Sequence, residues 1–241
     1  RRLIVGQPIG VFYGYRFDGI FQNEAECAQQ TSSPSPIGVG LRRYKDLNGD
    51  GKIDATNDRE ILGDANPKFF GGMTNTFAYK GFELNVFLQY SYGNKIFNYN
   101  AMELESPTGG QNVYQDLVNR WTPTNPSNEY QKATTNRNNI VSDRFIEDGS
   151  TDGFAEEFIY DASYIKLKEL ALSYSFPKLN WKHLGGLRLY VTGQNLLTWT
   201  KYRGYDPEVS YRGASTLEAG EDFGGYPQAR TFMFGIKLDI K

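Results

Sequence analysis

Residues 82–92 alternate between two kinds of side chain. Phe82, Leu84, Val86, Leu88, Tyr90 and Tyr92 fall on one face, and Glu83, Asn85, Gln89 and Ser91 on the other, with Phe87 alone breaking the pattern. A period of two is the signature of a β-strand with unlike faces. The same signature recurs along the chain. Val11, Tyr13, Tyr15 and Phe17 alternate with Phe12, Gly14, Arg16 and Asp18. Leu170, Leu172, Tyr174 and Phe176 share a face, as do Leu187, Leu189 and Val191, and then Phe232, Phe234, Ile236, Leu238 and Ile240. Six strands are expected, near residues 10–20, 69–79, 82–92, 164–176, 187–199 and 230–240. In the fourth, straight alternation back from Leu170 puts Lys168 and Lys166 on the apolar side, so that end is expected to leave the apolar layer.

The links between these strands alternate in length. Polar stretches over 22–67, 93–162 and 201–229 are long, whereas Lys80-Gly81 and the segment from Pro177 to Gly186 are short. In a meander this places every long loop at one edge of the sheet and every short turn at the other. Long outer loops, short inner turns and apolar-out, polar-in strands are the layout of an outer-membrane barrel. Tyr, Phe and Trp near strand ends fit interfacial girdles. A soluble antiparallel sandwich also alternates, but its strands are shorter and its loops seldom run to tens of residues. Six strands fall below the ~8 of the smallest usual barrel, and open edges cannot face lipid. Other strands are therefore expected to complete the sheet.

Enzyme chemistry finds little support. The lone Cys27 has no metal-ligand neighbours, and the lone His183 sits in a turn-like Trp181-Lys182-His183-Leu184. Glu156 and Glu157 are adjacent and read as solvated loop charge. A net charge of −2 gives no electrostatic case for nucleic acid. No apolar run nears the ~20 residues of a membrane helix, and no signal peptide opens the chain, which leaves a cytoplasmic protein or a piece of a longer one. Helical spacing of Val113, Tyr114, Leu117, Val118 and Trp121, stopped by Pro123, predicts a short helix within a loop. Another is expected near Glu24–Gln29.

One loop has the pattern of a cation site. Asp46, Asn48 and Asp50 supply side-chain oxygens at alternate positions, Gly51 allows a bend, Lys52 offers its carbonyl, and Ile53 points inward. Asp54 binds directly or through water. Asn57 stands where an EF-hand has its bidentate Glu, with Asp58 and Glu60 just beyond; Asp58 completes the candidate set. Such donors suit calcium, with its 6–8 oxygen ligands. The alternative is a polar Asn/Asp/Gly turn that needs no metal. Candidate ligand contacts are the loop aromatics Trp121, Tyr202 and Tyr205, against the alternative of loop packing.

Several stretches together resemble the C-terminal part of SusC/RagA-type TonB-dependent outer-membrane transporters of the Bacteroidetes. They are Phe12-Tyr13-Gly14-Tyr15 with Asp18-Gly19-Ile20-Phe21, the loop from Asp46 to Asp54, Asn66-Pro67-Lys68-Phe69, Tyr79-Lys80-Gly81-Phe82, Ser163-Tyr164-Ile165-Lys166-Leu167-Lys168 and Thr200-Lys201-Tyr202-Arg203-Gly204-Tyr205-Asp206-Pro207-Glu208. The pattern departs from the family by one extra residue before Asn57, by an insertion between Ser150 and Ala162, and by an end at Ile240-Lys241 where the family has an aromatic. The resemblance implies an all-β fold: an antiparallel segment of a barrel of about 22 strands with a plugged lumen. It implies import of oligosaccharides or oligopeptides, energised by TonB through an N-terminal plug absent from this chain. The implied partners are the rest of the barrel and plug, a SusD-like surface lipoprotein, outer-membrane lipid, and a second transporter–lipoprotein pair in a dimer. A non-transporting outer-membrane scaffold or assembly component is the alternative.

Overall fold

The computed structural model describes residues 1–105, 112–134, 154–176, 184–211 and 218–240. His183 lies outside them, as do residues 151–153 at the start of the insertion following Ser150. The chain forms two compact units. One comprises Arg1–Asn66, Lys95–Tyr160 and Val209–Gly225; the other comprises Pro67–Asn94, Asp161–Glu208 and Tyr226–Lys241. In chain order the elements are β1 (Phe12–Tyr15), β2 (Phe17–Ile20), α1 (Glu24–Cys27), β3 (Arg42–Tyr44), β4 (Arg59–Gly63), β5 (Phe69–Tyr79), β6 (Phe82–Tyr92), β7 (Lys95–Asn98), α2 (Tyr99–Leu104), β8 (Phe154–Ala155), β9 (Ile159–Asp161), β10 (Tyr164–Phe176), β11 (Leu184–Thr200), β12 (Glu221–Asp222) and β13 (Thr231–Ile240).

The second unit is one five-stranded sheet in the order β13-β11-β10-β6-β5. Every neighbouring pair is antiparallel. Its two faces differ chemically. The ladder Phe77, Leu84, Leu172, Val191, Phe234 runs straight across one face, and Tyr79, Phe82, Tyr174, Leu189, Ile236 runs beside it. These side chains are largely uncovered: Phe234 is 80% exposed and Ile236 68%. Gly71 lies opposite Tyr90, and a Cβ there would come within 2.7 Å of the Tyr90 hydroxyl oxygen, so glycine makes room for the ring. The opposite face carries hydrogen-bonded polar groups. Arg188 Nη2 donates to Glu83 Oε1 and to Ser173 Oγ, each at 2.7 Å, and Asn85 Nδ2 donates to Glu83 at 3.1 Å. Phe87 breaks the polar alternation by packing over Gly72, where a Cβ would meet its ring at 2.7 Å.

Three expectations change here. Residues 10–20 do not supply a sixth strand to this sheet. They split into β1 and β2, which pair with β4, β8 and β3 in the first unit. Phe12, Tyr15 and Ile20 are buried there, so the apolar positions serve a core instead of a sheet face. Next, Lys166 does not lie on the apolar side. The register between Leu167 and Glu169 slips by one, with Leu167 opposite Leu88 and Glu169 opposite Phe87. A bulge at Lys168 absorbs one residue. Ile165 and Leu167 thus continue the apolar face, and Lys166 turns to the polar one. Finally, the predicted helix around 113–121 is a short 3₁₀ segment, Gln115–Asn119.

The first unit has its own core, built on Phe12, Tyr15, Tyr44, Ile53, Leu62, Phe97, Met102 and Phe158. Three small sheets frame it: β4-β1-β8, β12-β7-β9 and β2-β3. Asn23 caps α1 by accepting from the Glu26 N–H, and Asn98 caps α2 by accepting from the Ala101 N–H. Glu157 is not solvated loop charge. Its carboxylate is buried 3.0 Å from Arg42 Nε and accepts from the Tyr44 hydroxyl at 3.1 Å. The Arg42 contact is close but poorly aligned, since Nε, Nη1 and Glu157 Oε2 make no hydrogen bond. We read it as an ion pair. Burial pushes the Glu157 carboxyl up, with Arg42 opposing. Glu156 pairs with Arg16 at 3.0 Å.

Candidate functional site

The acidic loop of the first unit curls around Asp58. That carboxylate is fully buried and staples both ends of the turn, accepting from the Leu47 N–H and the Asp54 N–H, each at 2.8 Å. Asp46 accepts from Gly49 and Gly51 at 2.6 and 2.7 Å, and Asp50 accepts from Lys52 at 2.8 Å. Asn48 Oδ1 accepts from the Asp50 N–H at 3.1 Å, and Asp54 accepts from Thr56 and Asn57 at 2.7 and 2.9 Å. Lys52 forms a bridge with Ser32, and Ile53 sits in the core. Gly49 and Gly51 take φ of 79° and 77°, a region costly for other residues. The Gly51 N–H, then that of Gly49, holds the Asp46 carboxyl below its ordinary range; Asn57 and Thr56 do the same for Asp54. Among the described residues no three Asp, Glu, His or Cys side chains converge to hold an ion. Calcium would require these oxygens to turn from backbone N–H groups toward the metal.

The three candidate aromatics are not equivalent. Trp121, in the first unit, donates its indole N–H to Gln22 Oε1 at 2.9 Å and is partly covered. Tyr202, in the second unit, is buried. Tyr205, three residues on, is 77% exposed. Only Tyr205 presents a free ring face.

The best-built polar cluster was missed as a site by sequence reasoning. It lies in the second unit, where the segment after β11 returns to the polar side of β10. Lys166 is 1% exposed and donates to both Asp206 oxygens, at 3.1 and 3.3 Å, and to Glu208. Lys168 Nζ reaches Glu208 Oε2 at 3.1 Å. The other Glu208 oxygen accepts from the Tyr164 hydroxyl at 3.0 Å and from Gln89 Nε2 at 3.2 Å. Asp206 also accepts from the Glu208 and Gln228 N–H groups, at 3.0 and 3.1 Å. Two ammonium groups and two carboxylates balance in charge, as burial demands. Burial raises both carboxyls. For Asp206 the Glu208 and Gln228 N–H groups with Lys166, and for Glu208 the two lysines, outweigh it and leave both below their ordinary range. The signal was present in sequence: Lys at alternate positions in one motif, and Asp-Pro-Glu with the same spacing in another.

No family model matches the chain. It is 39% identical over 241 residues to TonB-dependent receptor P3 of Formosa agariphila, covering 97% of this chain and 22% of that protein. It is 28% identical to TonB-dependent receptor SusC of Bacteroides thetaiotaomicron, over 82% of this chain and 17% of that protein. The chain thus spans about a fifth of the length of these relatives, which are named as receptors and not as enzymes. Its fold matches the structure of the RagAB peptide transporter with a TM-score of 0.71 at 23% identity, over 98% of this chain and 23% of that one. The RagAB importer in the closed-closed state gives 0.65 over 95% of this chain. Sequence similarity along almost the whole chain, with an antiparallel sheet of matching fold, places this chain among the SusC-type TonB-dependent receptors, as a segment of the barrel.

Proposed function

We propose that the chain is part of the barrel wall of an outer-membrane importer of oligosaccharides or oligopeptides. The supporting observation is the five-stranded sheet, with one face apolar and open across every strand and the other bearing Glu83, Arg188 and Ser173 in hydrogen-bonded contact. Lipid suits the first face and a wet lumen the second. The edge strands β5 and β13 would pair with the rest of the barrel. A plug energised by TonB and a SusD-like lipoprotein lid complete the proposal, with two such pairs forming a dimer. Tyr205 is the proposed solute contact, because an aromatic face stacks on sugar rings and on flat side chains alike. The complete protein should be tested in outer-membrane vesicles and cells. Uptake of dye-labelled oligosaccharides or peptides that stops when TonB is deleted supports import. A barrel that assembles but passes neither class in any condition would instead make it a scaffold.

Calcium in the 46–58 loop is a second proposal, with Asp46, Asn48, Asp50, Asp54 and Asp58 as side-chain donors and Lys52 as a carbonyl donor. It rests on the donor chemistry. The ion would act structurally, neutralising carboxylates that otherwise rely on backbone N–H groups.

A further inference from the structure

We infer that Lys166, Lys168, Asp206 and Glu208 form a positioning clasp that fixes the segment 202–208 on the polar face and so aims Tyr205 at the solute. The aiming of Tyr205 rests on the import reading above, whereas the clasp itself does not. Three observations carry it. Lys166 and Lys168 reach the polar face only because of the bulge in β10; unbroken alternation would send both toward the apolar side. The bulge therefore delivers two cations where two carboxylates return. Next, the carboxylates are saturated from several directions: Lys166, Lys168, the Tyr164 hydroxyl and Gln89 from the strands, and two backbone N–H groups from the returning chain. Such a network has one geometry. Lastly, buried Tyr202 and buried Asp206 bracket exposed Tyr205. An aromatic held on both sides has lost its freedom before a solute arrives, and pre-ordering lowers the cost of binding. The solute chemistry is a flat, weakly polar face, supplied by a sugar ring or by an aromatic or prolyl side chain.

The test uses the complete protein in lipid. A spin label on Tyr205→Cys reads loop motion. Uptake of a dye-labelled malto-oligosaccharide and of a dye-labelled tryptic peptide pool, with native Tyr205 in place, reads function and separates the two solute sources. The label should be immobile in the parent and in Lys166→Arg, and should sharpen in Lys166→Met and Asp206→Asn. Uptake KM should rise about 3–10-fold in Lys166→Met and Asp206→Asn with maximal rate kept, as expected for lost pre-ordering, and Arg should restore it. Tyr205→Ala should raise KM at least as much. An unchanged label spectrum in Lys166→Met and Asp206→Asn overturns the clasp. Increased motion with unchanged KM overturns the positioning role. Should Lys166→Met fail to assemble, Asp206→Asn and Glu208→Gln decide the matter, since they leave the strand untouched. A parent that takes up neither dye defeats the import reading and with it the aiming of Tyr205, while the label still reports on the clasp.

Discussion

Val86→Arg and Asn85→Arg are neighbours in sequence and should differ sharply in cost. β6 spans 11 residues, roughly 36 Å at ~3.3 Å per residue. A tilt of ~40° lays roughly 28 Å of it along the membrane normal, close to the ~25 Å apolar band of such barrels. Phe82 stands at one end and Tyr90 with Tyr92 at the other, so Val86 lies near mid-depth. It lies on the apolar face, between Asn75 on β5 and Leu170 on β10. An arginine there should cost about 2–4 kcal/mol, a factor of ~30–700 in the folding equilibrium. Asn85 points the other way, accepting from the Thr76 hydroxyl at 2.6 Å and donating to Glu83. Replacing it forfeits about 1 kcal/mol of hydrogen bonding, and Glu83 offers the new guanidinium a partner. The assay is reversible urea unfolding of the complete protein into lipid vesicles. Equal destabilisation by the two substitutions, or a larger loss for Asn85→Arg, would refute the assignment of faces.

Deleting Lys168 should remove the bulge yet leave Ile165 and Leu167 on the apolar face opposite Tyr90 and Leu88, so the deletion and Lys168→Ala should both assemble; heat-modifiable migration of the folded barrel checks this, and failure of the deletion alone would contradict the bulge assignment. Removing either partner of the buried Arg42–Glu157 pair should cost about 3–5 kcal/mol, and replacing both with apolar residues should cost less, measured by hydrogen exchange over β3. Because Glu157 binds its proton more tightly when folded, its contribution should be greatest below the ordinary glutamate range and decline as pH rises above it; loss of stability on acidification that Glu157→Gln removes would contradict this. For the acidic loop, calcium should slow proteolysis within 46–58, a chelator should reverse the effect, and Asp46→Ala with Asp50→Ala should abolish it. Sensitivity that ignores calcium throughout would leave the metal-free turn as the full description.

The sheet was legible because each of its strands carries its own record. Alternation from Phe82 to Tyr92 needs no partner to interpret. What escaped was whatever depended on distant residues. The slip at Lys168 moves one residue out of step, and a lone strand of Lys and Leu reads equally well without it. The alternation in residues 11–18 is genuine, yet Phe12 and Tyr15 are buried in a core with Tyr44 and Phe158, so periodicity alone could not tell a sheet face from a packed interior. Arg42 and Glu157 meet only through the fold. The acidic loop shows another limit. Oxygen donors that would suit a cation equally suit backbone N–H groups, and the sequence pattern is the same for both. The clasp was half visible: Lys166 with Lys168 and Asp206 with Glu208 both stand in the sequence, but nothing there pairs them.

A spin-label scan of Phe82 to Tyr92 in the complete protein, embedded in lipid, tests the barrel-wall assignment most directly. Labels replacing Leu84, Val86, Leu88 and Tyr90 should be reached by oxygen dissolved in the acyl chains, and labels replacing Glu83, Asn85, Phe87 and Gln89 by a water-soluble nickel complex, with the two signals alternating out of phase at a period of two. Accessibility that rises and falls together for both reagents, or an apolar face closed to oxygen in lipid, would contradict the account.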